Sequence, residues 1–176
     1  MYHSGSSDET RRLGREIARG IARKGFFADV ARNAGAKNGA TVFALEGEIG
    51  AGKTTFVQGF CEGLGLKKRA MSPTFVIMRR HALRRLPNGT SSKSNFFTNV
   101  FHVDAYRLKK SADLAALGIQ TIFSTRNNIV LIEWPERAKG IMPKNAIRLK
   151  FAHGTRDHER TIVLAKAAAK YYHDGR

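Results

Sequence analysis

The sequence predicts an α/β fold in which a central, mostly parallel sheet is flanked by helices. Two observations predict it. Short apolar runs alternate along the chain with segments of helical periodicity, which is typical of strands joined by helices. A glycine-rich turn also connects one of these runs directly to an amphipathic helix, as in a phosphate-binding loop. With 176 residues, the chain is expected to form a single domain over residues 1–176.

The first predicted element is a helix over residues 8–25. Its apolar residues, from Leu13 to Ile21, recur at four-residue spacing with charged residues between them. Asp8 or Thr10 is expected to cap the first turn, because both side chains accept hydrogen bonds from free backbone amides. A helix with this pattern buries one face and leaves its arginines in water.

The next two elements surround the glycine-rich turn. Thr41–Leu45 is a short apolar run between glycines, and it predicts a buried strand. Lys53–Leu64 gathers its apolar side chains on one side and predicts a helix. Cys61 lies on that apolar side, so we expect it to pack in the core.

The rest of the chain alternates between strand-like and helical segments. The predicted strands are Thr74–Met78, Val100–Val103, Ile129–Ile132, Ile147–Phe151 and Thr161–Leu164. A helix is expected at Ser111–Leu117 and a short last helix at 166–172. Because only a short turn separates the last two strands, they predict a C-terminal antiparallel hairpin. Residues 79–98 are a basic insertion with a Pro-Asn-Gly turn signal, expected to be an extended hairpin or a mobile loop.

The glycine-rich turn carries the strongest chemical signal. Residues Gly47 to Thr54, GEIGAGKT, match the pattern G-x-x-x-x-G-K-[ST] in full. Glycines let backbone N–H groups approach phosphate oxygens, and the following helix N-terminus adds partial positive charge. Lys53 is expected to reach the β- and γ-phosphates, and the Thr54 hydroxyl to bind Mg²⁺. The sequence therefore predicts a P-loop NTPase fold.

Two acidic residues end predicted strands and are candidates to complete this site. Glu133 follows the apolar run Ile129–Ile132, and an acid there faces the crevice in which open α/β sheets bind ligands. We expect Glu133 to complete the Mg²⁺ shell. Asp104 is expected to hold a metal-bound water, to orient the attacking water or to sense the γ-phosphate, with a turn cap as the structural alternative. His102 shares a strand face with Asp104 and is expected to pack rather than to catalyse.

The composition adds an unusual net charge. Lysine and arginine number 31 against 14 acidic residues, which gives +17. This excess excludes an acidic solvating protein and indicates an anionic partner. From Gly63 to Val103 there are eight basic residues and no acidic one. This stretch is either a solvated face or a nucleic-acid contact, in which Phe96 and Phe97 are candidates for base stacking.

Cysteine usage and hydropathy indicate the compartment. The single cysteine excludes an internal disulfide framework and a cysteine-rich zinc site, and it fits a reducing environment. The first residues lack the apolar region of a signal peptide, and no apolar run reaches the roughly 18–20 residues that span a bilayer. We therefore expect a cytoplasmic chain without membrane association.

Five segments in one order, GEIGAGKTT, SPTF, FHVDAYRL, LGI and IEWPERA, make the chain similar to the bacterial TsaE (YjeE) family. The resemblance covers roughly residues 8–165; the connection over 79–98 looks longer than usual for the family, and residues 28–38 look slightly expanded. The family is the P-loop ATPase of tRNA threonylcarbamoyladenosine biosynthesis. The resemblance implies binding and slow hydrolysis of ATP with Mg²⁺, coupled to the TsaB–TsaD complex that modifies adenosine 37 of tRNA.

The resemblance also implies roles for individual residues. Lys53 and Thr54 serve the phosphates and Mg²⁺, Glu133 is the acidic metal partner, and Asp104 is needed for hydrolysis. The candidate catalytic residues are thus Lys53, Asp104 and Glu133. The candidate nucleotide-binding residues are Thr10 on the adenine side, Gly47, Glu48, Ile49, Gly50, Ala51, Gly52, Lys53, Thr54, Thr55, Thr74 in the switch-like SPTF segment, and Glu136.

Two other functions fit parts of the sequence. A small-molecule or nucleotide kinase would use the basic 79–98 insertion as a lid, although no acceptor site is evident in the sequence. A nucleic-acid-binding module would use the acid-free stretch as its contact and the nucleotide site as a switch. Rapid phosphoryl transfer to a metabolite would favour the kinase, and salt-dependent tRNA affinity would favour the binding module.

Overall fold

The computed structural model describes residues 1–22, 39–66, 77–83 and 97–169. These residues form a sheet of seven strands that is covered by helices on both faces. The strands are β1 (Tyr2–Ser4), β2 (Thr41–Gly47), β3 (Met78–Ala82), β4 (Asn99–Asp104), β5 (Asn128–Glu133), β6 (Ile147–His153) and β7 (Arg160–Leu164). The helices are α1 (Ser7–Ala22), α2 (Lys53–Gly63), α3 (Ser111–Ala116), α4 (Ile119–Ser124) and α5 (Lys166–Ala169), with a 3₁₀ turn at Pro135–Ala138.

The strand order within the sheet is β1-β7-β6-β2-β5-β4-β3. The central strands β6, β2, β5 and β4 run parallel, whereas β3, β7 and β1 pair antiparallel with their neighbours. The predicted parallel centre and C-terminal antiparallel hairpin are confirmed. Because parallel strands bring their carboxyl ends to one edge, β2, β4 and β5 end together there. The register sets Glu133 beside both Leu45 and Asp104.

The core lies on both faces of the sheet because the central strands are apolar on both sides. On β2, Phe43 and Leu45 pack toward α1 and α2. Val42 and Ala44, which alternate with them, pack toward α3, α4 and the 3₁₀ turn. Strands that are covered in this way read as continuous apolar runs, which is why the sequence revealed them.

Helices α1 and α2 pack at very short distance through glycines. A Cβ at Gly59 would lie 1.9 Å from the backbone oxygen of Arg11, and one at Gly14 would lie 2.3 Å from that of Phe56. The missing side chains let the two backbones touch. At the edge of this contact the Arg15 guanidinium donates to the Glu62 carboxylate at 2.8 Å.

Cys61 packs on the buried side of α2, as predicted, and is 1% exposed. Burial raises the pKa of its thiol to about 12, and the neighbouring charge of Glu62 adds to the effect. The thiol is therefore an apolar core group rather than a nucleophile.

Several elements differ from the prediction. β1 and α4 were missed, since three and six residues are too short to show a period. Residues 74–76 of the predicted strand Thr74–Met78 lie outside the described residues, and the observed strand β3 begins at Met78 and runs on to Ala82. Residues 79–82 of the insertion therefore belong to a strand that pairs antiparallel with β4, whereas residues 84–96 lie outside the described residues and the interpretation of the insertion stays a prediction. β3 is an edge of the sheet among the described strands, where charged side chains are tolerated.

Two residue-level predictions about ends and surfaces are wrong. Thr10 lies inside α1 and is buried, so it does not cap the helix. The Ser6 hydroxyl accepts the hydrogen bond from the Glu9 amide instead, at 3.2 Å. Phe97 is 1% exposed in the core, so it offers no stacking surface to a base.

Other predictions fall on parts of the chain outside the described residues. They concern Thr74, Phe96, the predicted end of α1 at Gly25 and most of the basic stretch. Within the described ranges, no helix combines the length and apolar character that crossing a membrane requires.

Candidate functional site

The glycine-rich loop joins β2 to α2 at the carboxyl edge of the sheet. Gly47 has a φ of 139° and Gly52 a φ of 97°, conformations that side chains disfavour. At Gly47 a Cβ would also lie 2.2 Å from the backbone oxygen of Phe151 on the neighbouring strand β6. Helix α2 begins immediately after the loop, at Lys53. The unpaired N–H groups of its first turn therefore lie next to the loop, where they attract anions.

Lys53 is buried beneath the loop with 4% of its surface exposed. Its Nζ donates to the carbonyl oxygens of Gly47 and Glu48, at 2.7 Å each. The same ammonium lies 4.1 Å from the centre of the Trp134 ring, a cation–π contact. The lysine charge is thus held in place before any ligand arrives.

Two opposing effects act on the charge of Lys53. Burial lowers the pKa of its amine, because water no longer solvates the ammonium. The carboxylates of Glu133, Glu136 and Asp104 act against burial and favour the charged form. Three carboxylates therefore act on one buried ammonium, and a charged ligand that enters the site would change this balance of charge.

Glu133 holds a hydrogen-bond network with Thr54 and His102. The Thr54 hydroxyl donates to both carboxylate oxygens, at 2.8 Å and 3.0 Å. The Nε2 of His102 lies 2.8 Å from the Oε1 of Glu133, and it is the donor since a carboxylate accepts. Glu133 is 3% exposed and His102 is 1% exposed, so both groups are shielded from water. His102 therefore does more than pack: it fixes the acid that faces the loop.

Asp104 and two aromatic rings lie beside this network. The Oδ1 of Asp104 accepts a hydrogen bond from the Tyr106 amide at 3.1 Å, so it also serves as the turn cap considered above. The Tyr106 ring lies 5.0 Å from the Trp134 ring, centre to centre. Trp134 adopts a φ of 60°, a conformation that is uncommon for a large side chain. In this conformation the indole lies over Lys53, and its contacts with Lys53 and Tyr106 accompany the uncommon backbone geometry.

These groups enclose a cleft of about 320 Å³. It is lined by Ile49, Gly50, Gly52, Lys53, Thr54, Thr55, Asp104, Tyr106, Glu133 and Trp134. The cleft brings together residues from the loop, α2, β4 and β5. The structure therefore brings Lys53, Asp104 and Glu133, predicted to be catalytic, into one cavity.

Other predicted residues lie around this cleft. Ala51 is buried within the loop. Glu48 and Glu136 line a neighbouring cleft of about 970 Å³, which shares Ile49 and Trp134 with the first. Ile49 is 66% exposed between the two cavities.

Thr10 lies behind the loop. Its Cγ2 is 3.4 Å from the position that a Cβ on Gly52 would take, and its hydroxyl bonds to that of Ser4 at 2.8 Å. With 1% of its surface exposed, it supports the loop from α1. Thr74 lies outside the described residues.

The donor atoms in the cleft fit Mg²⁺. Thr54 and Glu133 offer a hydroxyl and carboxylate oxygens, the ligand type that Mg²⁺ prefers. Two side chains fill only part of an octahedral shell. The remaining positions suit waters and the oxygens of a bound phosphate.

Sequence reasoning missed two residues of the β6–β7 hairpin. His153 and Arg160 hydrogen bond to backbone oxygens of the loop, although more than 100 residues separate them from it. No spacing rule connects positions so far apart. The only available signal was the predicted hairpin itself, and nothing in the sequence indicated that it lies beside the loop.

The fold and this site define the class of the molecule: an α/β protein with a P-loop at the carboxyl edge of a mostly parallel sheet. Residues 4–162 match the family described as "Threonylcarbamoyl adenosine biosynthesis protein TsaE". The chain therefore belongs to the TsaE family.

Individual relatives agree with this assignment. The chain is 32% identical to the TsaE protein of Bacillus subtilis over 130 aligned residues. These residues cover 74% of this chain and 72% of that protein. It is 32% identical over 120 residues to that of Haemophilus influenzae, covering 68% and 66%. The crystal structure of YdiB from Bacillus subtilis superposes with a TM-score of 0.62 at 22% identity, over 97% of this chain and 88% of that one. That last likeness supports the fold alone.

Proposed function

We propose that the chain binds ATP with Mg²⁺ and hydrolyses it slowly, in support of threonylcarbamoyl modification of adenosine 37 in tRNA. One observation carries this proposal: the Thr54 hydroxyl contacts Glu133 beside the glycine-rich loop. This contact joins the P-loop hydroxyl to an acid on a neighbouring strand, the pair that holds Mg²⁺ in P-loop NTPases. Membership of the TsaE family supports the tRNA pathway.

In the proposed reaction Lys53 exchanges the carbonyls of Gly47 and Glu48 for phosphate oxygens. Its ammonium is already desolvated, so its attraction for a phosphate is stronger than that of an exposed lysine. Backbone N–H groups of the loop and of α2 hold the other oxygens. Mg²⁺, held by Thr54 and Glu133 when bound, neutralises charge on the phosphates.

Asp104 is proposed to orient the attacking water. It ends β4 directly beside Glu133 in the sheet register and lines the cleft. The water oxygen bonds to the γ-phosphorus while the bond to the bridging β–γ oxygen breaks, which leaves ADP and phosphate. Asp104 and Glu133 both line the cleft. Single substitutions at each position would separate their contributions to hydrolysis.

We further propose that the ATPase works in the cytoplasm beside the TsaB–TsaD complex and reaches tRNA through it. The nucleotide cleft and the larger neighbouring cleft share Ile49 and Trp134. A partner at the larger cleft would therefore sense the occupied nucleotide site. Direct contact of the basic surface with tRNA is the additional route that the +17 charge favours.

The test combines one substitution with a binding assay. Lys53→Ala is expected to reduce ADP production about a hundredfold or more, because it removes a charge aimed at the reacting phosphates. Lys150→Ala, on the exposed side of β6, is the matched control and is expected to behave as wild type. Unchanged turnover in Lys53→Ala would contradict the P-loop assignment. Rapid transfer of phosphate to a metabolite rather than to water would identify a kinase.

The partners are tested by a pull-down with the TsaB and TsaD homologues, with and without ATP. Association that depends on ATP is expected if the cleft couples the nucleotide to the complex. Failure to associate in either state would contradict the proposed partnership while leaving the ATPase activity intact.

A further inference from the structure

The β6–β7 hairpin contacts the phosphate-binding loop through two side chains. The Nε2 of His153 lies 3.0 Å from the carbonyl oxygen of Ile49, and the Nε of Arg160 donates to that of Gly50 at 2.9 Å. A carbonyl only accepts, so His153 is a donor here as well. Two consecutive peptide groups of the loop are thus bonded to one hairpin.

We propose that His153 and Arg160 are positioning residues that set the orientation of these two peptide groups for phosphate binding. A trans peptide is planar, and its C=O and N–H point in opposite directions. Holding the carbonyls of Ile49 and Gly50 toward the hairpin turns the N–H groups of Gly50 and Ala51 away from it. Both are donors suited to a phosphate, and the Ala51 amide, which here donates to the Glu48 carbonyl at 3.3 Å, would exchange that oxygen for a phosphate oxygen. The inference rests on the proposed nucleotide binding at this loop.

The hairpin is rigid enough to act as the support. Its turn is closed by Glu159, whose carboxylate accepts from the Thr155 hydroxyl at 2.9 Å and from the Arg156 amide at 3.2 Å. These hydrogen bonds lower the pKa of Glu159, that from Thr155 most. The backbone also closes the turn, from the Gly154 amide to the Glu159 oxygen at 2.8 Å.

Arg160 links this turn to the loop. Besides the carbonyl of Gly50, its guanidinium bonds the carbonyls of Asp157 and Glu159. The hairpin therefore holds the planar group through Nη1, and its Nε–H donates to the loop. On the loop side, a Cβ at Gly50 would lie 3.4 Å from Cε1 of His153, an ordinary van der Waals contact, so the imidazole packs directly beside this part of the loop.

The experiment compares two ligands, ATP and inorganic tripolyphosphate. Binding is followed by the fluorescence of Trp134, the single tryptophan, which stacks on Lys53 in the cleft. Arg160→Met and His153→Leu each remove a donor, and each is expected to weaken both ligands by the same factor, about fivefold to tenfold. His153→Gln retains an N–H and is expected to recover most of the affinity.

Arg156→Met is the matched control. Arg156 lies on the same turn and is exposed, and its side chain reaches Glu159 at 3.7 Å rather than the loop. It is expected to bind both ligands as wild type, and all variants are expected to unfold at nearly the same temperature without ligand. A loss of ATP affinity without a loss of tripolyphosphate affinity would overturn the inference, since it would assign the residues to the nucleoside. So would equal weakening in Arg156→Met, or unchanged affinity in Arg160→Met and His153→Leu.

Failure of the proposed function has a different signature. If wild-type protein bound neither ATP nor tripolyphosphate, the nucleotide proposal would fail. The NMR order parameters of the Gly50 and Ala51 amides in ligand-free protein still test the support itself. They are expected to fall in Arg160→Met and not in Arg156→Met, and equal values in both variants would overturn the inference.

Discussion

At the scale of single residues, a small number of contacts orients each charged group of the site. Glu133 is oriented by one hydroxyl and one imidazole, and Lys53 by two carbonyls and one ring. The sequence predicted Lys53 from a motif and Glu133 from the end of a strand. It did not predict the bond between His102 and Glu133, because alternation along a strand tells which face a side chain takes but not which atom it meets on the next strand.

The network predicts a role for His102 in metal binding. His102→Leu removes the donor to Glu133, and we expect the Mg²⁺ concentration for half-maximal ATP hydrolysis to rise about tenfold. His102→Gln restores an N–H donor and is expected to recover most of the loss. The measurement is a Mg²⁺ titration of ADP production, with the KM for ATP determined at saturating Mg²⁺.

His81→Leu is the control for this prediction. His81 is also buried, on the adjacent strand β3, and burial lowers the pKa of its imidazole. Among the described residues its Nε2 has no hydrogen-bond partner. An equal rise in both leucine variants would show that His102 matters only for packing.

At the scale of elements, apolar runs and glycines determine what the sequence can reveal. The strands β2 and β5 were predicted almost to the residue, because burial on both faces of the sheet leaves an uninterrupted apolar signal, and the helix α2 was predicted equally well because its apolar side chains lie on one side. The short β1 and α4 were not predicted, since their stability comes from neighbouring elements. Among the described strands β1 pairs with β7 alone, and Ile119 and Phe123 of α4 pack on the sheet. Contacts of this kind are absent from local patterns.

The close packing of α1 on α2 predicts the effect of a single methyl group. In an exposed helix, Gly59→Ala would stabilise by about 1 kcal/mol through helix propensity. Here its Cβ would lie 1.9 Å from the Arg11 oxygen, so we expect a net loss of about 1–3 kcal/mol instead. Thermal unfolding of the variant is the measurement. Gly5→Ala is the control, because its Cβ would meet only the Glu9 side chain at 3.6 Å; equal melting temperatures would contradict the prediction.

At the scale of the whole molecule, nucleotide binding does not account for the net charge of +17. Some of the 31 basic side chains are paired with acids within the fold, since Arg11 and Arg15 both lie near Glu62. Exposed basic residues such as Arg12, Arg19 and Arg80 leave a strongly positive surface. Net charge was readable from composition, but its distribution required the fold.

Such a surface predicts salt-sensitive affinity for tRNA. We expect direct tRNA binding to be weak and to fall steeply as salt rises, because the phosphate contacts release counterions. The double variant Arg84→Ala/Arg85→Ala, in the acid-free stretch, is expected to reduce the salt slope. The double variant Arg12→Ala/Arg19→Ala is the comparison, because it also removes two positive charges but on α1, outside the acid-free stretch. Filter binding across a salt series distinguishes them, and a flat salt dependence would contradict a tRNA contact.

The burial of Cys61 has a practical consequence for site-specific labelling of this protein. It is the only cysteine of the chain, and its thiol is sealed in the core with a pKa raised to about 12. Maleimide dyes should therefore leave the native protein unlabelled. One new cysteine at the exposed Ile49 and another on the Lys139 turn, which line the same cleft, would accept a pair of spin labels. The short-range dipolar coupling between the labels would then report whether the cleft between these positions narrows when nucleotide arrives.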